Sequence, residues 1–254
     1  DQKFIYFDES FNFEEGGENV YNVMYKQNEV SYLVGAAAAM MTTDETLDKV
    51  DPSNKVIGFL GGMENSVIKD FLVGYIQGAK DVDEEIQVAL AYVGNFYDSA
   101  AGKDMALTQY QNGADVGFNV AGSAGLGQIE AAVDSDRYAF GVDSDQAALL
   151  PDYAANIPTS AIKNVGNSLI RAIKMDMEGE LEYGQLEYLG FAEGGVELVE
   201  DDHYKEAVPE EIRTKIEELK KQIVDGEITV PTALGDEAMS EDDIQALIDS
   251  VKVK

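Results

Sequence analysis

Residues 115–127 have the sequence Asp115-Val116-Gly117-Phe118-Asn119-Val120-Ala121-Gly122-Ser123-Ala124-Gly125-Leu126-Gly127. The part up to Val120 has the short, largely apolar character of a buried strand, and the glycines after it predict a tight turn that opens a helix. A buried strand that leads through a glycine loop into a helix is the unit from which α/β folds with parallel sheets are built. This stretch therefore predicts the fold class.

The same alternation of strand and helix extends over most of the chain, which strengthens the prediction of an α/β fold with parallel sheets. Strands are predicted at residues 3–7, 20–25, 56–60, 87–93, 115–120, 138–142, 159–162 and 185–191. Helices are predicted at residues 29–42, 66–82, 99–112, 125–134, 165–178 and 209–224. The segment 226–231 is predicted to be a peripheral strand, Ser240 suits a helix cap, and the polar segment 42–54 is a candidate crossing between lobes.

The composition limits the classes of partner. The chain has 254 residues, with 49 Asp and Glu against 18 Lys and Arg, which gives a formal net charge of -31. Hydrophobic residues make up 45% of the chain, so there is enough apolar material for a core. A surface this acidic repels phosphate backbones and anionic lipids, so neither a nucleic acid nor an anionic membrane surface is a predicted partner.

Two residue types that often carry chemistry are scarce. The chain has no cysteine, which excludes disulfides, thiolate metal sites and a cysteine nucleophile within it. His203 is the only histidine and stands in a polar run that predicts a surface loop, so a catalytic triad is not expected. No apolar stretch approaches the roughly 18 to 20 residues that span a bilayer.

The loops that follow the strands are where a ligand is expected, because open α/β sheets bind ligands at the carboxyl ends of their strands. The glycine loop at residues 122–127 opens a helix, and Asp143 ends the next strand. That arrangement fits a purely structural turn, a sugar or nucleoside site, or a dinucleotide site, although the glycine order is GxxGxG. Asp143 and Asp145 lack the surrounding frame of a calcium loop, so no metal is predicted, and no cofactor either.

Three further residues stand at predicted strand ends or in the loops beside them. Lys163 follows a short apolar run where a buried lysine needs a partner, and Asp143 is the partner predicted from the residues. Such a pair would present a donor and an acceptor to one vicinal diol. Phe96 could stack on a planar ligand or cap the core of its own lobe.

Several ordered runs resemble those of the basic membrane protein family, whose members are substrate-binding lipoproteins of nucleoside ABC transporters. The resemblance covers about the first 230 residues and includes Ser160-Ala161-Ile162-Lys163 and Glu193-Gly194-Gly195-Val196. The runs that carry it also include Glu29-Val30-Ser31-Tyr32-Leu33-Val34-Gly35, Gly58-Phe59-Leu60-Gly61-Gly62-Met63, Tyr92-Val93-Gly94-Asn95-Phe96, Asp115-Val116-Gly117-Phe118-Asn119-Val120-Ala121-Gly122 and Gly141-Val142-Asp143-Ser144-Asp145-Gln146.

The resemblance implies a type I periplasmic-binding-protein-like fold, with two Rossmann-like lobes that close on a purine nucleoside of the inosine, guanosine or adenosine type. By the family's pattern, Asp143 and Lys163 would hold the ribose hydroxyls, and Asp8 would contact the ligand from the other lobe. Phe96 would stack on the base, and Gly122 would allow close backbone approach. The partners implied are an ABC transporter permease and, outside the cytoplasm, a membrane in which a lipid anchor holds the protein.

The family pattern also predicts a division of the chain. Residues 1–54 would be the remainder of lobe one, 55–160 lobe two, 161–234 the return to lobe one with a C-terminal helix and strand, and 235–254 an acidic tail. Family members carry a further segment before the strand that here starts near Lys3. We therefore expect an incomplete first lobe, with the lipid-bearing cysteine on the missing N-terminal segment.

Three functions follow as hypotheses. The first is a binding protein that captures a purine nucleoside by hinge closure and is not an enzyme. The second is an NAD-dependent or sugar-active enzyme built on the loop 122–127 and Asp143, for which Tyr97 and Glu64 are the nearby candidates for acid or base. The third is a surface adhesin or antigen that uses the charged helix 209–224.

Overall fold

The computed structural model describes residues 2–253 and contains two β-sheets flanked by helices. The strands are β1 (Phe4–Phe7), β2 (Val20–Tyr25), β3 (Val56–Gly61), β4 (Gln87–Tyr92), β5 (Ala114–Val120), β6 (Tyr138–Asp143), β7 (Ser160–Lys163), β8 (Gln185–Leu189) and β9 (Val196–Leu198). The helices are α1 (Gln27–Thr42), α2 (Ser66–Val82), α3 (Ser99–Gln111), α4 (Leu126–Ser135), α5 (Gln146–Leu149), α6 (Val165–Glu178), α7 (Asp202–Ala207), α8 (Glu210–Val224) and α9 (Glu241–Ser250).

The smaller sheet has the strand order β1-β2-β8 and the larger sheet the order β4-β3-β5-β6-β7-β9. Neighbouring strands pair in parallel except β7 and β9, which are antiparallel. The prediction of an α/β fold with two parallel-rich sheets is thus confirmed. The predicted strands and helices are found with ends within two residues of their predicted positions.

Two local predictions are wrong, and one strand was missed. Strand β9 was not predicted, since three residues between glycine-rich and acidic runs give no period to detect. His203 lies in the short helix α7, capped by the Asp201 side chain, and not in a loop. The segment 226–231 forms no strand, because the Asn28 side chain, 3.1 Å away, satisfies the carbonyls of Val230 and Pro231 in place of a neighbouring strand.

Helices α1 and α2 pack with their backbones almost in contact. A Cβ atom built on Gly35 would collide with the carbonyl oxygen of Tyr75, and one on Gly78 with that of Tyr32. The alanine-rich α1 is buried on nearly every side and also packs on β3, β5, β7 and β9. Helix α1 therefore lies with the larger sheet, although the predicted division counts it with lobe one, and that division stays a prediction.

The connections between the two sheets lie side by side and are bonded to one another. The Lys26 backbone N–H, between β2 and α1, donates to the Leu189 carbonyl at 3.0 Å. The Asn164 N–H, after β7, donates to Gly195 at 2.9 Å, and Gly195 donates to Gly190 at 2.8 Å. This bundle of connections has the anatomy of a hinge. The segment 42–54, predicted as a crossing between lobes, instead joins α1 to β3 on the larger sheet.

The smaller half of the molecule leaves large apolar side chains in solvent. Ile170, Ile173 and Met177 lie along one face of α6, and Met177 is 81% exposed. Phe4, on the outer strand β1 of the smaller sheet, is 51% exposed. The smaller half therefore has more apolar surface than its three-stranded sheet covers.

Val251 and Lys252 cover the edge strand of the larger sheet. The Val88 N–H of the edge strand β4 donates to the Val251 carbonyl at 2.7 Å. Helix α9, which Ser240 caps as predicted, is fastened to α2 by an ion pair between Lys69 and Glu241 at 2.6 Å. Within residues 2–253, no helix is long and apolar enough to cross a membrane.

The contact between α1 and α2 makes Gly78 a sensitive position. We expect Gly78→Ala to lower the free energy of unfolding by about 1–3 kcal/mol, the usual cost of overpacking. Gly166→Ala is the matched control, because a Cβ there meets nothing within 4 Å and α6 gains helix propensity. Urea unfolding of both variants measures the difference, and equal stabilities would contradict the close packing.

Candidate functional site

The carboxyl ends of β1, β6 and β7 face one cleft between the two sheets. Asp8 follows β1, Asp143 ends β6 and Lys163 ends β7. Both aspartates have left-handed backbones, with φ of 63° and 64°. That conformation costs about 1–2 kcal/mol for most residues but is more accessible to Asp, whose short side chain can bond locally. The two aspartates are thus at chain reversals, where a strand ends and turns away from the sheet.

The cleft has a volume of about 290 Å³. Its lining includes all five residues predicted for the site, namely Asp8, Phe96, Gly122, Asp143 and Lys163. Asp8 comes from the smaller sheet, and the other four come from the ends of larger-sheet strands or the loops after them. The structure therefore gathers in one place residues that are up to 155 positions apart in the sequence.

Lys163 is nearly enclosed, with 7% of its side chain exposed, and its Nζ lies 2.7 Å from Oδ1 of Asp8. The rings of Tyr25 and Phe71 stand 5.7 and 5.5 Å from the same ammonium group. The prediction that Asp143 is the bonded partner of Lys163 is wrong, because Asp8 on the opposite sheet takes that place. The ion pair joins the two sheets across the cleft.

The carboxylate of Asp143 remains available. Within residues 2–253, no side-chain hydrogen bond or ion pair reaches it, and Asp143 is an exposed residue of the cleft lining. Desolvation by the surrounding protein raises the pKa of Asp143, the charge of Lys163 opposes that rise, and the charge of Asp8 adds to it. The site thus presents two free acceptor oxygens beside a cation, which suits a pair of hydroxyl donors.

Phe96 and Gly122 form another wall of the cleft. The ring of Phe96 covers Gly62 so closely that a Cβ on that glycine would collide with it, and the residue remains 38% exposed. The Phe96 carbonyl accepts from the Ala124 N–H at 3.2 Å. Gly122 has a φ of +56°, and its position beside the Phe96 backbone leaves little space for a side chain. The ring is therefore held by the loops around it with part of its surface free.

The prediction did not include several residues of the lining. These are Asn65, Val67, Ile68, Phe71, Val120 and Val142. The apolar ones come from strand ends and from the first turns of α2, whose periodicity marks them only as core. Asn65 could have been found, since it follows a glycine pair after β3 and has the residue type of a helix cap.

The buried Asp70, next to Phe71 on α2, holds the C-terminal segment. Its carboxylate accepts from Thr232 Oγ1 at 2.6 Å, from the Ala233 N–H at 2.8 Å and from the Asn28 N–H at 3.3 Å. Burial raises its pKa to about 6 despite these bonds. Asp70 thus fixes the start of α1 and the C-terminal segment to α2, one residue before Phe71 of the cleft lining.

The residues considered for catalysis lie elsewhere. Tyr97 is 80% exposed and Glu64 lies 3.4 Å from Lys69, and neither lines the cleft. The ring Nε2 of His203 lies 2.9 Å from the Ile157 carbonyl oxygen. Among residues 2–253, no group of three or more acidic or histidine side chains is arranged to hold a metal ion.

The sequence of this chain is similar to those of known substrate-binding and basic membrane proteins. The family model described as "ABC transporter substrate-binding protein PnrA-like" matches residues 1–233. Basic membrane protein D of Borreliella burgdorferi (strain JD1) is 35% identical over 217 residues, which are 84% of this chain and 60% of that protein. The ABC transporter nucleoside-binding protein BmpA of Lactococcus lactis subsp. cremoris (strain MG1363) is 34% identical over 230 residues, covering 85% of this chain and 61% of that protein.

A crystal structure of an ABC transporter solute-binding protein from Aeropyrum pernix K1 has the same fold. It superposes with a TM-score of 0.78 at 22% identity, covering 98% of this chain and 75% of that one. The chain thus spans about 60% of the length of the curated relatives it matches.

The raised pKa of Asp70 predicts an unusual pH dependence. Between the ordinary pKa of 3.8 and about 6, the folded state holds a proton that the unfolded state has lost. The stability of the wild type relative to Asp70→Asn should therefore decrease as the pH rises through this window, by up to about 3 kcal/mol, and stay constant above it.

Asp83→Asn is the control, because the stability difference for this residue should change with pH in the opposite direction. Its hydrogen bond with Lys55 lowers the pKa of Asp83, so the wild type should lose its advantage over that variant as the pH falls. The Asp83 difference changes below the ordinary pKa of 3.8 and the Asp70 difference above it, so denaturant unfolding from about pH 2 to pH 8 measures both. Two differences with the same sign of slope would contradict the environment described for Asp70.

Proposed function

Because the chain belongs to the family of PnrA-like ABC transporter substrate-binding proteins, we propose that it captures a purine nucleoside in the cleft between its two sheets and passes it to an ABC transporter permease. We also propose that the protein acts outside the cytoplasm. The lipid anchor that the family resemblance implies would hold it at the membrane there. The relative from Lactococcus lactis, which is named as nucleoside-binding, supports the class of ligand.

The observation that carries the proposal is the uncommitted carboxylate of Asp143 next to the ion pair of Lys163 and Asp8. The 2′- and 3′-hydroxyls of a ribose are vicinal donors, and one carboxylate can accept a hydrogen bond from each. Lys163 can donate to a hydroxyl oxygen while it remains paired. A phosphate would meet two carboxylates in the same cleft, so an uncharged nucleoside fits better than a nucleotide.

Closure about the bundled connections between the two sheets would bring both walls of the cleft onto the ligand. A ligand that contacts Asp8 on one sheet and Asp143 on the other is bound best when the sheets are close, so it shifts the population toward the closed state. Base stacking on the exposed part of Phe96 would add to the hydroxyl bonds. A dissociation constant near 1 μM requires about 8 kcal/mol in all.

Asp143→Asn tests the proposal with little change of shape. Hydrogen bonds to a charged group contribute about 1.5–3 kcal/mol, so we expect the affinity for inosine or guanosine to fall by roughly 10- to 100-fold. In the wild type, affinity should also fall as the pH is lowered through the raised pKa of Asp143, because protonation removes an acceptor, and the variant should lack this dependence.

Titration calorimetry at several pH values measures both effects. Asp145→Asn is the matched control, since it removes the same charge two residues away and an Asn can still cap α5 at Ala148. Unchanged nucleoside affinity in Asp143→Asn would refute the assigned role. Failure of the wild type to bind any purine nucleoside would refute the proposed function.

A further inference from the structure

Asn65 holds a position in the cleft that the site described so far does not use. It is the N-cap residue of the 17-residue helix α2 and lies in the loop that follows β3. It lines the same cleft as Asp143 and Lys163, and its side chain is exposed. The residue is therefore within reach of a ligand held by those two groups.

The helix fixes which end of the Asn65 amide faces outward. Its Oδ1 accepts a hydrogen bond from the Ile68 N–H at 3.0 Å, which satisfies one of the unpaired donors of the first turn. An amide that is flipped would point its NH₂ group at that N–H, so the oxygen must face the helix. The Nδ2 group consequently points away from the helix as a donor, and within residues 2–253 no acceptor is bonded to it.

The other polar side chains of the cleft have different roles. Asp8 and Asp143 are acceptors when ionised, and Lys163 is a donor that is already paired with Asp8. Among the side chains that line the cleft, Asn65 therefore supplies the uncommitted neutral donor. A ligand group that meets it must be an acceptor, or else two donors oppose each other at a desolvated contact.

The strand order separates the loop of Asn65 from the strand end of Asp143 by a distance comparable with the length of a nucleoside. Strands β3 and β6 are separated by β5, so the loops after them are two strand spacings apart, which is roughly 10 Å. That separation is comparable with the length of a purine nucleoside from its ribose hydroxyls to the far edge of the base. A nucleoside whose ribose hydroxyls meet Asp143 can therefore extend across the same cleft toward Asn65 with the edge of its base.

We propose that Asn65 is a specificity-determining residue that selects 6-oxopurine nucleosides over 6-aminopurine nucleosides. The inference rests on the proposed nucleoside binding and adds to it the choice of base. A 6-oxo group accepts a hydrogen bond from the amide of Asn65. A 6-amino group presents a donor to a donor, and the fixed orientation of the cap prevents the amide from turning to accommodate it.

The decisive variant is Asn65→Asp, because an aspartate keeps the capping oxygen and replaces the outward donor by an acceptor. The wild type should bind inosine at least about tenfold more tightly than adenosine. In Asn65→Asp, the affinity for inosine should fall at least about tenfold, and adenosine should bind as well as in the wild type or better. Asn65→Ser, which also caps, should lose the preference for inosine without a gain for adenosine.

Titration calorimetry with inosine and adenosine gives the ratios, and thermal unfolding confirms that α2 remains capped. Asn95→Asp is the control for charge, because its side-chain oxygen accepts from Tyr97 and Asp98 in a neighbouring loop and it does not line the cleft. An equal loss of inosine affinity in Asn95→Asp would overturn the proposal, as would an unchanged inosine-to-adenosine ratio in Asn65→Asp. Binding of neither nucleoside by the wild type would instead refute the proposed function itself.

Discussion

The ion pair between Lys163 and Asp8 is the interaction that connects the two halves of this protein at the cleft. Burying an ammonium group with 7% of its side chain exposed costs free energy unless it is paired, and the partner here comes from the other sheet. Removing Asp8 would leave the ammonium of Lys163 without its bonded partner beside the rings of Tyr25 and Phe71. The positions of the strand ends, and hence the shape of the cleft, depend on this contact.

Two aspartates near this pair have different roles because their surroundings differ. Asp70 is fully buried and receives hydrogen bonds from Thr232, Ala233 and Asn28, so its acceptors are used within the protein. Asp143 also has a raised pKa, but its oxygens face the cleft without a protein donor. The first carboxylate organises α1, α2 and the C-terminal segment, and the second is left for a ligand.

The packing of α1 against α2 makes the larger half a firm platform for the site. Close approach through Gly35 and Gly78 leaves little freedom between the helices, and Phe71 of α2 reaches both the core and the cleft. The cap residue Asn65 starts the same helix. A side chain placed on such an element is held in a fixed orientation, which specificity between similar ligands requires.

The sequence by itself determined the order of strands and helices, the strand-end positions of Asp8, Asp143 and Lys163, and the loops that contain Phe96 and Gly122. Those features depend on residue periodicity and on turn residues, which act over a few positions. It did not reveal the strand β9, the helix around His203 or the absence of a strand at residues 226–231, where short segments are governed by distant contacts such as those of Asn28.

Only the tertiary structure decided that Lys163 pairs with Asp8 and not with Asp143, since that choice depends on how two separate sheets face each other. It also decided which carboxylate remains free and which way the amide of Asn65 points. These are properties of distance and direction between residues far apart in the chain, and no local pattern contains them.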